Sequence, residues 1–349
     1  MRRWAWPALV ALLVLAGCAP AAGPHRTVIA LLLPESKTSR YESVDRPVFE
    51  RVVAERCPSC RVVYANAGQD AARQQAQAES ALTEGASVLV LDAVDAAAAR
   101  SVVDQAEARG VRVIAYDRPI ADAPVDYLVA YDATLVGRLQ AQAMLDAVGP
   151  VRPGDGILQV NGAATDPNAV AQRTGVAQVL DGAALPVLAS YDTPDWSPDK
   201  AQEWVQGQLT EYSGRVVGVL AANDGTAAGA ISALRAAGLD PVPPVTGQDA
   251  ELAAVQRIVA GDQYMTVYKA ISQQARTAAE LAVRIAHGEH PAAAVRVGGV
   301  PAVLLAPVAV TRKDVAEVIV AGGVYTVAQI CTPAYRAACR DLGLLGGNG

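Results

Sequence analysis

The stretch VLVLDAVDAAAARSVVDQAEARGVRVIAYDRPI, residues 88–120, contains two short apolar runs on either side of a helical pattern. The first run, 88–91, is followed by Asp95, a residue type that favours the N-cap of a helix. Gly110 stands at the expected C-terminus of the helix, where a glycine with a left-handed backbone is common. The second apolar run, 111–116, follows directly. Strand, helix and strand in this order predict two parallel neighbouring strands with a helix across them.

The same alternation continues along the chain from residue 27. Strands are predicted at 28–33, 62–65, 88–91, 111–116, 127–131, 157–160, 187–190, 216–221, 245–247, 265–268 and 302–305. These runs are largely apolar instead of alternating, as expected of strands buried on both faces. The pattern predicts an α/β protein with doubly wound parallel sheets.

A chain of 349 residues exceeds what one hydrophobic core usually serves, so we expect two lobes with a break near Asp132. The N-terminal lobe is predicted to take 27–131 plus 268–304, and the C-terminal lobe 132–267 plus 305–349. No low-complexity segment separates them. We therefore expect several crossing strands, which together form a hinge, in place of one flexible linker.

The charge pattern argues against nucleic acid as a partner. The formal net charge is -6, and no run of Lys and Arg follows Arg3. Binding to phosphates needs a clustered basic face, which this chain lacks.

The N-terminus is typical of an export signal. Two arginines precede the apolar segment 8–15, which is too short to cross a bilayer, and the sequence LAGC ends at Cys18. This ending resembles the lipobox of bacterial lipoproteins, which implies removal of residues 1–17, lipidation of Cys18 and anchoring to the outer face of the cell membrane. Residues 18–26 then form a tether. The alternative is an ordinary cleaved signal in which Cys18 has no special role.

Four further cysteines suggest two disulfides in an exported chain, paired by proximity as Cys57 with Cys60 and Cys331 with Cys339. The CPSC sequence at 57–60 is also compatible with a redox motif. That function needs the first cysteine at a helix N-terminus after a strand. Here the pair follows a helix and precedes a strand, so we favour structural disulfides.

Polar residues collect after the predicted strands, at the edge of a parallel sheet where ligands bind. The set is Arg40, Tyr41, Asp117, Arg118, Asp166, Asn168, Trp196, Asn223, Asp224, Gln248, Asp249 and Lys269. Carboxylates, amides and cations match the donors and acceptors of sugar hydroxyls, and an aromatic ring can stack on a pyranose. Simpler roles remain open, namely helix caps for Asp224 and Asp249, surface charges for Arg40 and Lys269, and packing for Trp196.

Four motifs occur in order: IAYDRPI, AANDGTAAGAI, GQDAELAAVQRI and MTVYK. Together they resemble the sugar-binding lipoproteins and periplasmic proteins of ABC importers, with the type I fold, and are most similar to the D-xylose-binding branch. The resemblance implies sugar contacts at Arg40, Arg118, Asn168, Trp196, Asn223, Asp249 and Lys269. We add Tyr41, which stands where that family commonly has tryptophan, and Asp166. The chain also departs from the family at Pro167 and Ala270.

The sequence contains few features that are typical of a catalytic site. The chain has no G-x-S-x-G, P-loop or G-x-G-x-x-G motif, so no catalytic residue, cofactor or metal is expected. His287 and His290 are interpreted as a pair at a helix C-terminus, with a metal site as the alternative. Convergence of Asp166, Asp224 and Asp249 would instead suit a glycosidase.

The sequence therefore predicts a lipid-anchored extracytoplasmic binding protein of an ABC importer. It is expected to be a monomer that closes around a monosaccharide, D-xylose or a related aldose, and delivers it to the transmembrane subunits of a permease. Two alternatives remain, a sugar sensor that presents its closed form to a membrane receptor and a sugar-modifying enzyme. An intracellular repressor is disfavoured because an export signal precedes the first strand.

Overall fold

The computed structural model describes residues 27–345, and its strands account for most of the predicted ones. They are β1 (Val28–Leu33), β2 (Arg61–Asn66), β3 (Ala86–Leu91), β4 (Arg112–Tyr116), β5 (Tyr127–Tyr131), β6 (Gly156–Asn161), β7 (Val187–Asp192), β8 (Val216–Ala221), β9 (Met265–Tyr268), β10 (Val295–Val297), β11 (Val300–Leu305) and β12 (Val308–Thr311).

The strands form three sheets. The largest has seven strands in the order β10-β11-β5-β4-β3-β1-β2, all parallel except β10. A parallel three-stranded sheet has the order β7-β6-β8, and β9 pairs with β12 in an antiparallel ribbon. The predicted α/β class with parallel sheets is confirmed.

Helices lie on both faces of the large sheet and around the small one. They are α1 (Arg46–Arg56), α2 (Ala71–Thr83), α3 (Ala99–Ala108), α4 (Ala133–Val148), α5 (Pro167–Leu180), α6 (Pro198–Glu211), α7 (Asp224–Ala236), α8 (Leu252–Ala260), α9 (Ile271–Ala286), α10 (Val327–Ile330) and α11 (Arg336–Asp341). Short π-helical segments occur at Tyr41–Asp45 and Val315–Ala321.

The large sheet is buried on both faces, which explains its apolar strands. Along β1, Ile29 and Leu31 pack with residues of α1 and α9, whereas Ala30 and Leu32 pack with residues of α2 and α3. A polar residue on either face would therefore lie in a hydrophobic core. The carboxyl ends of these strands remain open to the opposite lobe.

The chain crosses between the sheets at three places. It leaves the large sheet after β5, returns between β9 and α9, and leaves again between β11 and β12. The division into two lobes at 131/132, 267/268 and 304/305 stays a prediction. Three short crossings are the arrangement that permits hinge motion between lobes.

The sequence misjudged a few strands. Residues 245–247, predicted as a strand, form only an isolated bridge between Val219 and Val245. Neither β10 nor β12 was predicted, because each is short and its antiparallel pairing gives no βαβ signal.

Disulfides join Cys57 to Cys60 and Cys331 to Cys339. Cys18 and the predicted export signal lie outside the described residues. Among the helices of 27–345, none combines the length and the apolar character needed to span a membrane.

Candidate functional site

The strand ends of the large and small sheets face one another across a cavity. All nine residues predicted to contact a ligand line it: Arg40, Tyr41, Arg118, Asp166, Asn168, Trp196, Asn223, Asp249 and Lys269. Four more residues complete the lining, namely Thr38, Asp117, Gln172 and Gln248. The polar residues that the sequence scatters over 230 positions therefore meet at one place.

Arg40 is held in a fixed orientation by buried acceptors. Its Nε and Nη2 donate to the two carboxylate oxygens of Asp45 at 2.9 and 2.8 Å, and Nη1 donates to Asp117 Oδ1 at 3.1 Å. Nη2 also donates to Gln274 Oε1 at 2.7 Å. The side chain of Arg40 is 3% exposed, so the alternative of a surface charge is wrong for this residue. Bidentate pairing of this kind fixes the plane of a guanidinium.

Arg118 connects the two lobes. Its Nη1 donates to the carbonyl oxygen of Ala93 at 2.8 Å, while Nε lies 2.9 Å from Asp166 Oδ2 and 3.3 Å from Asp92 Oδ1. Burial raises the pKa of both Asp92 and Asp166, and the charge of Arg118 opposes that rise. One guanidinium thus lies between two buried carboxyl groups, one on each side of the cleft.

Lys269 completes a chain of alternating charges. Its Nζ lies 3.0 Å from Asp249 Oδ1 and 3.9 Å from Asp117 Oδ1, and 5.4 Å from the centre of the Tyr131 ring. Burial alone would raise the pKa of Asp117, but the charges of Lys269 and Arg40 hold it below its usual range. Lys269 is 5% exposed, so a free surface charge is the wrong interpretation here too.

Trp196 lies in the cavity wall because of an unusual backbone. Asp195 and Trp196 both have positive φ, 57° and 53°, in the short turn between β7 and α6. Such conformations cost about 1 kcal/mol or more for residues with a side chain and cluster at functional sites. The indole lies against Gly162, where an added Cβ would come within 2.1 Å of Cη2. A glycine is therefore required beneath the ring.

Asn223 has a structural function as well as a place in the cavity. It is the N-cap of α7, and its Oδ1 accepts from the backbone N–H of Thr226 at 2.9 Å in a capping box. The alternative that Asp224 caps this helix is wrong. Asp224 lies inside the first turn, where its carboxylate accepts from Gln263, Thr266 and the backbone N–H of Glu251.

Asp249 does not cap a helix either, because α8 begins after Glu251 and no side chain caps it. Asp249 has a φ of 95°, and the sequence gives no signal of this. The three carboxylates of the glycosidase hypothesis are separately engaged: Asp166 with Arg118, Asp249 with Lys269, and Asp224 behind the wall.

One buried polar atom in the cavity wall, Trp196 Nε1, has no hydrogen-bond partner among the described residues. Buried polar groups are normally hydrogen-bonded, so an unpaired donor beside a cavity points to a polar ligand.

Sequence reasoning missed the residues that support the site. Asp45, Asp92 and Gln274 are buried and hold Arg40 and Arg118, but none was singled out. Asp117 was noted at a strand end without being assigned to the site. For Asp117, the available signal was its polar neighbours in the sequence. For Asp92, it was the position directly after a predicted strand.

Comparison with known proteins gives a consistent result. The sequence profile of the family described as "Periplasmic binding protein domain" matches residues 29–290. The D-xylose-binding periplasmic protein of Escherichia coli K12 is 32% identical over 318 residues, covering 89% of this chain and 94% of that protein. Its counterpart in Haemophilus influenzae is 34% identical over 306 residues, covering 85% of this chain and 90% of that protein.

Solved structures show the same architecture. An ABC transporter solute-binding protein from Clostridium phytofermentans, with bound β-D-glucose, superposes with a TM-score of 0.78 at 27% identity. The match covers 87% of this chain and all of that chain.

Proposed function

The chain belongs to the periplasmic binding protein family, and from that premise we propose that it captures a neutral monosaccharide, D-xylose or a related aldose, for an ABC importer. The observation that carries the proposal is the convergence of all nine predicted contacts on one inter-lobe cavity. The relatives named for D-xylose and the structure with bound β-D-glucose support the same ligand class.

The charge balance favours a neutral ligand over a sugar acid or a sugar phosphate. Arg40 is paired with Asp45, Arg118 with Asp166, and Lys269 with Asp249, each within 3.0 Å. No lining cation is left without a carboxylate, so an anionic ligand would meet a compensated site. The same ion pairs can still exchange hydrogen bonds with hydroxyl groups, which both donate and accept.

We propose a specific contact with the sugar for several residues that line the cavity. Trp196 stacks on the apolar face of the sugar, since its indole is buried and fixed by the turn. Asp249, Asn223 and Asn168 accept or donate from the lobe of the small sheet, and Arg118 does so from the other side of the cleft. Charged partners make these hydrogen bonds stronger than neutral ones.

Hinge closure is the proposed mechanism. Contacts already join the lobes in this structure: Arg118 pairs with Asp166, Asn168 Nδ2 donates to the carbonyl oxygen of Asp117 at 3.1 Å, and the backbone N–H of Ser39 donates to Glu251 Oε1 at 3.1 Å. A sugar bound to both walls adds free energy to the closed form alone. It therefore shifts the population toward closure, and the closed surfaces become the form that the permease reads.

The remaining parts of the proposal concern location and assembly. Lipidated Cys18 would hold a monomer at the outer face of the membrane, close to the permease. Labelling with a radioactive fatty acid, compared between the wild type and Cys18→Ala, tests the anchor. Sugar uptake by a strain that lacks the protein separates transport from sensing.

A thermal-shift panel tests the ligand class. Ligand at about 100 times its Kd adds about 2.7 kcal/mol, which corresponds to roughly 4 °C for a chain of this length. We expect this shift with at least one of D-xylose, L-arabinose, D-glucose and D-galactose, and none with D-glucuronate. No shift with any aldose would refute the sugar assignment, and a shift with glucuronate alone would refute the charge argument.

A further inference from the structure

Away from the sugar cavity, two helix C-termini meet at a cluster of sulfur and nitrogen atoms. Cys57 is the C-cap of α1 and His287 is the C-cap of α9. His287 Nε2 lies 3.7 Å from Cys57 Sγ, and the ligand atoms of Cys57, Cys60 and His287 all lie within 4.8 Å of one another. The cluster precedes β2, so it lies at the edge of the large sheet opposite to the strand ends that line the cavity.

The separation between sulfur and nitrogen fits a tetrahedral zinc ion. Sulfur at about 2.3 Å and nitrogen at about 2.05 Å from such an ion lie roughly 3.6 Å apart. The observed distance of 3.7 Å between Cys57 Sγ and His287 Nε2 agrees with this value. The C-x₂-C spacing of Cys57 and Cys60 is also one that zinc sites commonly use.

The surroundings favour a cation. Both helices direct the negative ends of their dipoles toward the cluster. The nearby guanidinium groups are already paired, Arg56 with Glu280 at 3.0 Å and Arg284 with Glu289 at 2.7 Å. A surface cavity between these side chains reaches His287 and gives a metal ion a path from solvent.

We propose that reduction of the Cys57–Cys60 disulfide turns this cluster into a Zn²⁺ site. The ligands are the two thiolates and His287 Nε2, and a water molecule takes the fourth position. Ser59 Oγ, 3.6 Å from Cys57 Sγ, is placed to donate a hydrogen bond to the thiolate.

The chemistry balances with a dithiol reductant of the thioredoxin-like class. The reductant transfers two electrons and two protons to the disulfide and becomes a disulfide itself. The two thiols then lose their protons to solvent as Zn²⁺ binds, and zinc does not change its oxidation state. The sulfur atoms separate to about 3.8 Å, the spacing across a tetrahedral ion. A disulfide oxidant that accepts two electrons from the thiolates, and becomes a dithiol itself, re-forms the Cys57–Cys60 bond and releases the ion.

Titration with Co²⁺ and Zn²⁺ tests the proposal, because Co²⁺ reports thiolate ligation by charge-transfer absorption and tetrahedral geometry by its visible bands. We expect the reduced protein to bind one ion per chain with these bands, Zn²⁺ to displace Co²⁺, and the oxidised protein to show no bands. His287→Ala should weaken binding by about tenfold or more, as expected for loss of a ligand. His290→Ala is the matched control and should leave binding unchanged.

The other cysteine pair must also be separated from this one. We expect Cys331→Ser to retain the cobalt spectrum of the reduced protein and Cys60→Ser to lose it. The opposite result, a spectrum that is the same in oxidised protein, or equal effects of His287→Ala and His290→Ala would overturn the proposal. Unfolding of the reduced protein, seen by circular dichroism or as loss of the sugar-induced thermal shift, would overturn it as well, because the site needs the folded chain.

Discussion

The ion pair between Arg118 and Asp166 gives the sharpest test of hinge closure. Asp166→Asn removes one charge but keeps an oxygen that can cap α5, where Asp166 now accepts from the backbone N–H of Asn168 at 2.8 Å. Removal of Arg118 itself would be less clean, since it would leave Asp92 and Asp166 facing each other without a cation.

The magnitude follows from the geometry. Two unit charges 2.9 Å apart attract by about 6 kcal/mol at an effective dielectric constant of 20. Arg118 keeps Asp92 at 3.3 Å, and the new amide keeps a hydrogen bond, so the net loss should be about 2–3 kcal/mol. If opening of the lobes breaks the pair, that loss falls on the closed form alone and raises the Kd for the sugar by about 30- to 150-fold.

Isothermal titration of the best sugar measures this change, with urea unfolding of the unliganded protein beside it. Asp192→Asn is the matched control, because Asp192 pairs with Arg173 at 2.8 Å but both side chains are about 40% exposed. Loss of an exposed pair changes the free energy by under about 1 kcal/mol. A Kd that changes by less than about threefold in a folded Asp166→Asn protein would refute the idea that this pair forms on closure.

Three further predictions concern the cavity wall. Gly162→Ala should push the Trp196 indole into the cavity and weaken sugar binding by about tenfold or more. The control is Gly207→Ala, where the added methyl group meets no neighbouring atom, so binding should be unchanged. Calorimetry measures the affinity of both variants. Asn223→Ser should retain the helix cap but lose the amide, so chemical denaturation should show nearly unchanged stability while the affinity falls by about tenfold. A loss of stability with unchanged affinity would assign Asn223 to the cap alone. The pKa of Asp117 is held below its usual 3.8, so its contribution to stability is present above that pH and is lost as the pH falls below it. Asp117→Asn should therefore flatten the decline of unfolding free energy at acid pH, and an unchanged slope would contradict the assignment.

The fold was largely predictable because its strands are buried on both faces. Residues 28–33, 127–131 and 216–221 were predicted with the bounds that the structure shows, since each is a largely apolar run that ends at a polar segment. The sequence contained no comparable signal for the pairing of β9 with β12. Its strands are four residues long, and the pairing is a contact between segments forty residues apart.

The site was predictable in its members but not in its electrostatics. Strand-end position and the family motifs identified the residues that line the cavity. The partners of Arg40 are different: Asp117 lies 77 residues away and Gln274 lies 234 residues away, and no local pattern records such a contact. The positive φ of Asp195 and Trp196 was equally hard to predict, because Trp rarely adopts a left-handed backbone and Asp does so at only a minority of positions.

A crystal structure of the protein with its best aldose tests the central claim most directly. We predict one sugar ring stacked on Trp196, with hydroxyl groups within hydrogen-bond distance of Asp249, Asn223 and Arg118, and the Arg118–Asp166 pair intact across the closed cleft. A sugar bound elsewhere on the protein, or a saturated crystal whose cleft holds no sugar, would contradict the account.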